Sequence, residues 1–110
     1  MATGTILTPA VIIGSAAFQQ IGVAVPAAKV RSYWLRAVLN TGVATVYAQW
    51  RLNNGTLNMI RGPAAGYPIT YQAADSAPDL EQNLLLPAGW YLEVLALNVT
   101  FTLTGVEDDA

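Results

Sequence analysis

From Val43 to Leu52 the chain sorts itself at a period of two: Ala44, Val46, Ala48, Trp50 and Leu52 alternate with Val43, Thr45, Tyr47, Gln49 and Arg51. An extended backbone sends successive side chains to opposite faces, so this spacing selects a strand with one buried face. Lys29 to Asn40 repeats the pattern, with Tyr33, Leu35, Ala37 and Leu39 on one face and Trp34, Arg36, Val38 and Asn40 on the other. A helix competes for this second stretch. Its Tyr, Trp and Val content and the Asn40-Thr41-Gly42 turn that follows favour a strand, with the odd-numbered face as core. Both strands then send an aromatic and an arginine outward, Trp34 with Arg36 and Tyr47 with Arg51.

Turn chemistry divides the remainder. In Leu84 to Glu107 a Pro87-Ala88-Gly89 turn launches an apolar run, Trp90 to Leu97, and Val99 to Leu103 alternates after it; adjacency predicts that these two form a hairpin. Phe18 to Val25 alternates loosely and ends at Pro26-Ala27-Ala28. Asn53-Asn54-Gly55 predicts a hairpin into Thr56 to Arg61, because Asn and Gly tolerate positive φ. Gly62 to Pro78 holds three prolines, two glycines, Tyr67 and Tyr71, and reads as a long binding-type loop with a short strand near Ile69 to Gln72. Leu80 to Leu86 runs from it into the Pro87 turn.

Residues 1–16 read as an apolar arm or a first strand, broken by Pro9. Residues 17–107 form the domain, and 108–110 an acidic tail. An internal echo links Val25-Pro26-Ala27 to Leu86-Pro87-Ala88, each followed by a long strand, a turn and an alternating strand. Nested hairpins of this kind predict an all-β fold: a single-domain antiparallel β-sandwich, jelly-roll-like.

Composition bears on what covers this domain. Of 110 residues 54% are apolar and only 11% charged, where roughly 25% charged is typical. A globule of this mass exposes about 5,900 Å², or about one charge per 490 Å². Such a surface predicts a homo-oligomer, with a trimer favoured. All five bases (Lys29, Arg31, Arg36, Arg51, Arg61) precede all seven acids. In a closed ring this order lets a basic side meet a neighbour's acidic side; loop charges scattered by chance give the same order. No run reaches the ~18 apolar residues of a membrane helix, and the N-terminus lacks a basic n-region, so no membrane partner is expected.

Chemical groups are few. His and Cys are absent, and Ser15, Ser32 and Ser76 have only Lys29 as a conceivable activator, so no catalysis and no cofactor are expected. Asp75, Asp79 and Glu81 lie near enough in sequence to approach one cation, but their spacing matches no Ca²⁺ loop, and solvated loop acids explain them; no metal site is expected. Gly62 and Gly66 precede no helix and make no phosphate loop. Four arginines interleaved with Tyr33, Trp34, Tyr47 and Trp50 are the materials of a stacking groove, yet the chain is net −2, so no nucleic acid is expected. Asn54-Gly55-Thr56 and Asn98-Val99-Thr100 match the glycosylation pattern; without a secretory signal, the first is better explained as a turn.

Taken together, Val25-Pro26-Ala27-Ala28-Lys29, Leu39-Asn40-Thr41-Gly42, Leu86-Pro87-Ala88-Gly89 and Thr104-Gly105-Val106-Glu107 resemble the turn sequence of small all-β virion proteins of tailed bacteriophages. The likeness spans about Ala17 to Glu107, with Ala28 where those proteins carry glycine. It implies a non-enzymatic virion component, assembled in the host cytoplasm and present in many copies. A capsid decoration (cement) protein that binds the major capsid protein is one expectation; a neck, tail or fibre-base adaptor contacting another virion protein is the second. A carbohydrate-binding module using Tyr67 and Tyr71 is a third. The interface candidates are Ile6, Leu7, Val11 and Ile12 in the arm, the outward Trp34, Arg36, Tyr47 and Arg51, and the two loop tyrosines.

Overall fold

The computed structural model of the chain describes residues 4–39, 46–63, 66–69 and 80–110. These residues form ten strands: β1 (Thr5–Ile6), β2 (Ala10–Ile13), β3 (Gln19–Ile21), β4 (Lys29–Leu39), β5 (Val46–Asn53), β6 (Asn58–Ile60), β7 (Tyr67–Ile69), β8 (Leu80–Pro87), β9 (Tyr91–Leu95) and β10 (Val99–Asp109). All pairings are antiparallel. One sheet runs β1 and β2, then β10, β4 and β8; the other runs β3, β9 and β5, with β6 and β7 both on the far edge of β5.

The pairs nest. β5 pairs with β6 and β7, β4 with β8, β3 with β9 and β2 with β10, around the Asn53–Leu57 turn as centre. Folding such a nested ribbon over on itself gives two sheets, here five-stranded, facing one another, which is the jelly-roll arrangement the sequence predicts. Its centre is the one hairpin that sequence places correctly, since Asn53 pairs with Asn58 and Arg51 with Ile60. Asn53 Oδ1 accepts from the Gly55 amide at 2.7 Å, Asn54 Oδ1 accepts from Thr56 and Leu57 at 2.9 and 2.7 Å, and Gly55 takes φ 89°.

The predicted hairpin of 90–97 with 99–103 does not form. β9 pairs with β3 and β5, whereas β10 lies in the other sheet against β4 and β2. The short link through Ala96, Leu97 and Asn98, with Asn98 at φ 58°, carries the chain across the sandwich, and Ala96 is buried beneath it. β4 and β5 likewise lie in opposite sheets, and their link at 40–45 falls outside the described residues. The short strand expected at 69–72 is found at Tyr67–Ile69, residues 70–72 lying outside the described set. Residues 108 and 109, expected in an acidic tail, are the end of β10, paired with Val30 and Lys29.

Alternation fills the interior. Leu35, Ala37 and Leu39 of β4, Ala48, Trp50 and Leu52 of β5, Leu84 and Leu86 of β8, Leu92 and Val94 of β9, and Val99, Phe101 and Leu103 of β10 are all buried. Each large side chain so placed contributes about 1.5–3 kcal/mol. Trp50, 1% exposed, meets Tyr67 edge-on at 6.4 Å and lies so close under Gly62 that a Cβ there would come within 2.8 Å of its ring. Its indole N–H finds no acceptor among the described residues.

Candidate interaction surfaces

Strand register assembles the outer face of the first sheet row by row. With the odd side chains of β4 and β10 and the even ones of β8 turned inward, the opposite sets face out. Ile6, Val106, Ser32 and Leu85 stand across one row, and Thr104, Trp34 and Asn83 across the next. Val11, Thr102, Arg36 and Glu81 form the third, and Ile13, Thr100 and Val38 the fourth. Ile6 (85%), Ile13 (65%), Leu85 (63%), Val11 and Trp34 (42%) are the exposed large apolar side chains of this face. Across these four rows the only charges among the described residues are Arg36 and Glu81, one of each sign; Asp108, exposed on the same side in the row of Val30 and Pro87, adds an acid at the rim. A shallow open trough of about 640 Å³ runs over it, lined by Ile6, Ser32, Trp34, Asn83, Leu85 and Thr104 among others. The Trp34 indole N–H donates to Glu81 Oε2 at 3.0 Å across β4 and β8, which fixes the ring over the trough.

The outer face of the second sheet sets a polar network beside exposed Tyr47 and Ile60. Gln20, Glu93 and Arg51 share a row, and Asn53 lies beside Tyr91. Arg51 Nε and Asn53 Nδ2 donate to the same Glu93 oxygen at 2.8 and 3.0 Å, and the Arg51 guanidinium lies 3.9 Å over the Phe18 ring. Such a network satisfies the arginine within its own subunit.

The interface candidates therefore separate. Ile6, Val11, Trp34 and Arg36 come together on the first sheet; Tyr47 and Arg51 lie on the opposite side of the sandwich, with Arg51 already engaged. Tyr67 is partly exposed at the edge of β7, and Tyr71 lies outside the described residues. Leu7 and Ile12 pack against the core instead of facing a partner, and the Leu7 amide donates to Gly105 O at 2.9 Å. The arm is thus the edge of the first sheet. Sequence reading missed Ile13, Leu85 and Val106. Leu85 sits in a Leu-Leu-Leu run, where only the inward orientation of Leu84 and Leu86 reveals that it points out.

Basic and acidic segments meet within the chain as well. Directly across β4 and β10, Arg31 Nε donates to Glu107 Oε1 at 2.8 Å and Lys29 pairs with Asp109. Partial burial pushes the Arg31 pKa down, but its hydrogen bonds to the Tyr33 hydroxyl and Glu107, with their charges, raise it overall. With Arg51 on Glu93, three of the five bases are engaged by their own chain's acids. This removes most of the charge segregation seen in the sequence.

Chemistry remains sparse at the named groups. The Ser15 hydroxyl donates to Ala17 O, and Ser32 stands between Val106 and Leu85 in its row. Among the described residues no three His, Cys, Asp or Glu side chains gather around a point, and Asp75 and Asp79 lie outside that set. No family model, no curated protein and no solved structure matches this chain.

Proposed function

We propose that the chain is a non-enzymatic structural subunit of a virion, most specifically a capsid decoration (cement) protein that binds the assembled head as a homo-oligomer and contacts the major capsid protein. One observation carries this reading: a jelly roll whose first sheet turns five large apolar side chains to solvent around a central opposite-charge couple. A free subunit is poorly served by such a face, while an assembling one hides it. The turn motifs shared with small phage virion proteins supply the biological setting. Val25 and Leu86 head two turns that lie side by side, joined by the Val25 amide to Trp90 O and the Gly89 amide to Val25 O, both at 2.9 Å.

A decoration protein works by mass action. A ligand that binds only the closed shell stabilises that shell by RT ln(1 + [L]/Kd), about 2.7 kcal/mol at one hundred times Kd. No catalytic group and no cofactor enter. Copy number and position in a particle reconstruction test the proposal: hundreds of copies on the head support it. A dozen or so at the neck, tail or fibre base contradict decoration and leave the adaptor role.

A further inference from the structure

We infer that the outer face of the first sheet is the interface between two copies of this chain, packed face to face about a two-fold axis. The inference rests on reading the chain as a self-assembling structural subunit and names the surface that does it.

Three features point to a second copy as the occupant. A two-fold contact uses the same patch twice, so the patch must complement itself. Here Arg36 and Glu81 sit side by side in one row, and every other outward described residue of the four rows is neutral, Asp108 lying at the rim beyond the Ile6 row. The centre of the face is therefore balanced against its own image, where a basic or an acidic partner would find only half a match. Glu81 already accepts the Trp34 indole N–H, while Arg36 enters no ion pair among the described residues, which leaves its guanidinium available across the interface.

Second, the opposite sheet is less suited to the task, because Arg51, Asn53 and Glu93 bond to one another and its strands turn out two exposed large apolar side chains, Tyr47 and Ile60, against five on the first sheet. Third, the area is sufficient. Four strands about 4.8 Å apart, each about eight residues long, present roughly 500 Å². Two such faces remove about 1,000 Å² from water, at the lower bound for a specific contact. Association through a face of this size is concentration-dependent, and area by itself sets no Kd. An isologous face builds dimers and even-numbered assemblies; the trimer expected from sequence needs a second, different contact.

Sedimentation velocity on the full chain and its variants over roughly 1–200 µM tests this. The native chain should pass from monomer to dimer or an even multiple. Arg36→Glu, whose four rows carry two negative charges, and Glu81→Arg, whose four rows carry two positive ones, should each associate at least about ten-fold more weakly. Mixed together, the two variants should associate again. Leu85→Lys should also weaken association, and Leu57→Lys, equally exposed on the Asn53–Leu57 turn, should not. Thermal melts confirm that each variant folds. Single variants that associate like the native chain, no recovery on mixing, or a bare trimer would overturn the inference. A chain that stays monomeric in solution yet coats the head in a reconstruction overturns this inference and leaves head decoration standing without the homo-oligomer. Pairing through this face in a chain found in no virion does the reverse.

Discussion

Ala28 and Gly89 occupy the same place in two copies of one turn. Lys29 N donates to Pro26 O and Trp90 N to Pro87 O, each at 3.2 Å, and the residue before each donor has positive φ, 62° at Ala28 and 87° at Gly89. Only glycine adopts that conformation without steric cost. Ala28→Gly should therefore stabilise by up to about 1 kcal/mol, and Gly89→Ala should destabilise by about 1–2 kcal/mol. Denaturant midpoints measure both. Opposite signs support the shared turn, and a loss at Ala28 would contradict it. Gly105 faces a different constraint: a Cβ there would stand 2.6 Å from Tyr33 Cδ1 and 2.8 Å from Ser32 O. Gly105→Ala should cost about 1–3 kcal/mol by overpacking, read from the same midpoint shift.

Charge at the end of β10 carries a pH signature. The hydrogen bond and charge of Lys29 hold the Asp109 carboxyl below its ordinary 3.8, and Asp109 in turn lifts Lys29 above its ordinary 10.5. A lowered carboxyl stabilises the fold above its unfolded pKa and loses that effect as pH falls through the folded value; a raised amine stabilises below its unfolded pKa and loses the effect as pH rises through the folded one. Both groups are exposed, so the effect is small. The native chain should melt slightly above Asp109→Asn at neutral pH, and the two should converge in strong acid. A gap that persists in acid would show that something other than the charge holds this end.

At the scale of elements, the strands at the arm change what its removal should do. The sequence presents residues 1–16 as an arm or a strand. In the fold, β2 pairs with β10 from Ala10 to Ile13, and Leu7 and Ile12 pack on the core. Removing residues 4–13 should therefore strip apolar burial worth about 1.5–3 kcal/mol per large side chain and bare the edge of β10. Calorimetry should show a lowered melting temperature and light scattering should show aggregation. An unchanged melt would restore the arm as a mere partner-binding extension.

The same elements show what the sequence makes legible. β4 and β5 could be read with their inner faces because period two is a local property, carried by Leu35, Ala37, Leu39, Trp50 and Leu52. The partner of β9 could not. A short turn at Leu97–Asn98 looks the same whether it closes a hairpin or spans two sheets, and only the pairing of β10 with β4, some sixty residues away, decides between them. Asp109 reads as part of a solvated tail for the same reason: its partner Lys29 lies 80 positions earlier. The candidate face was half visible. Trp34 and Arg36 follow from alternation, whereas their company with Ile6, Ile13 and Leu85 follows from register.

For the whole molecule, the two outer faces differ: one sets five exposed large apolar side chains around a central opposite-charge couple, and the other sets two, Tyr47 and Ile60, beside an internally bonded network of Arg51, Asn53 and Glu93. This asymmetry underlies the view of the chain as an assembling structural subunit. Hydroxyl-radical footprinting of dilute and assembled protein measures it directly. Labelling at Trp34 and Leu85 should fall on assembly by at least about five-fold, in keeping with full burial at an interface centre, while Leu57 and Tyr47 remain as reactive as before. Unchanged labelling at Trp34 and Leu85, or protection at Tyr47 instead, would contradict the account.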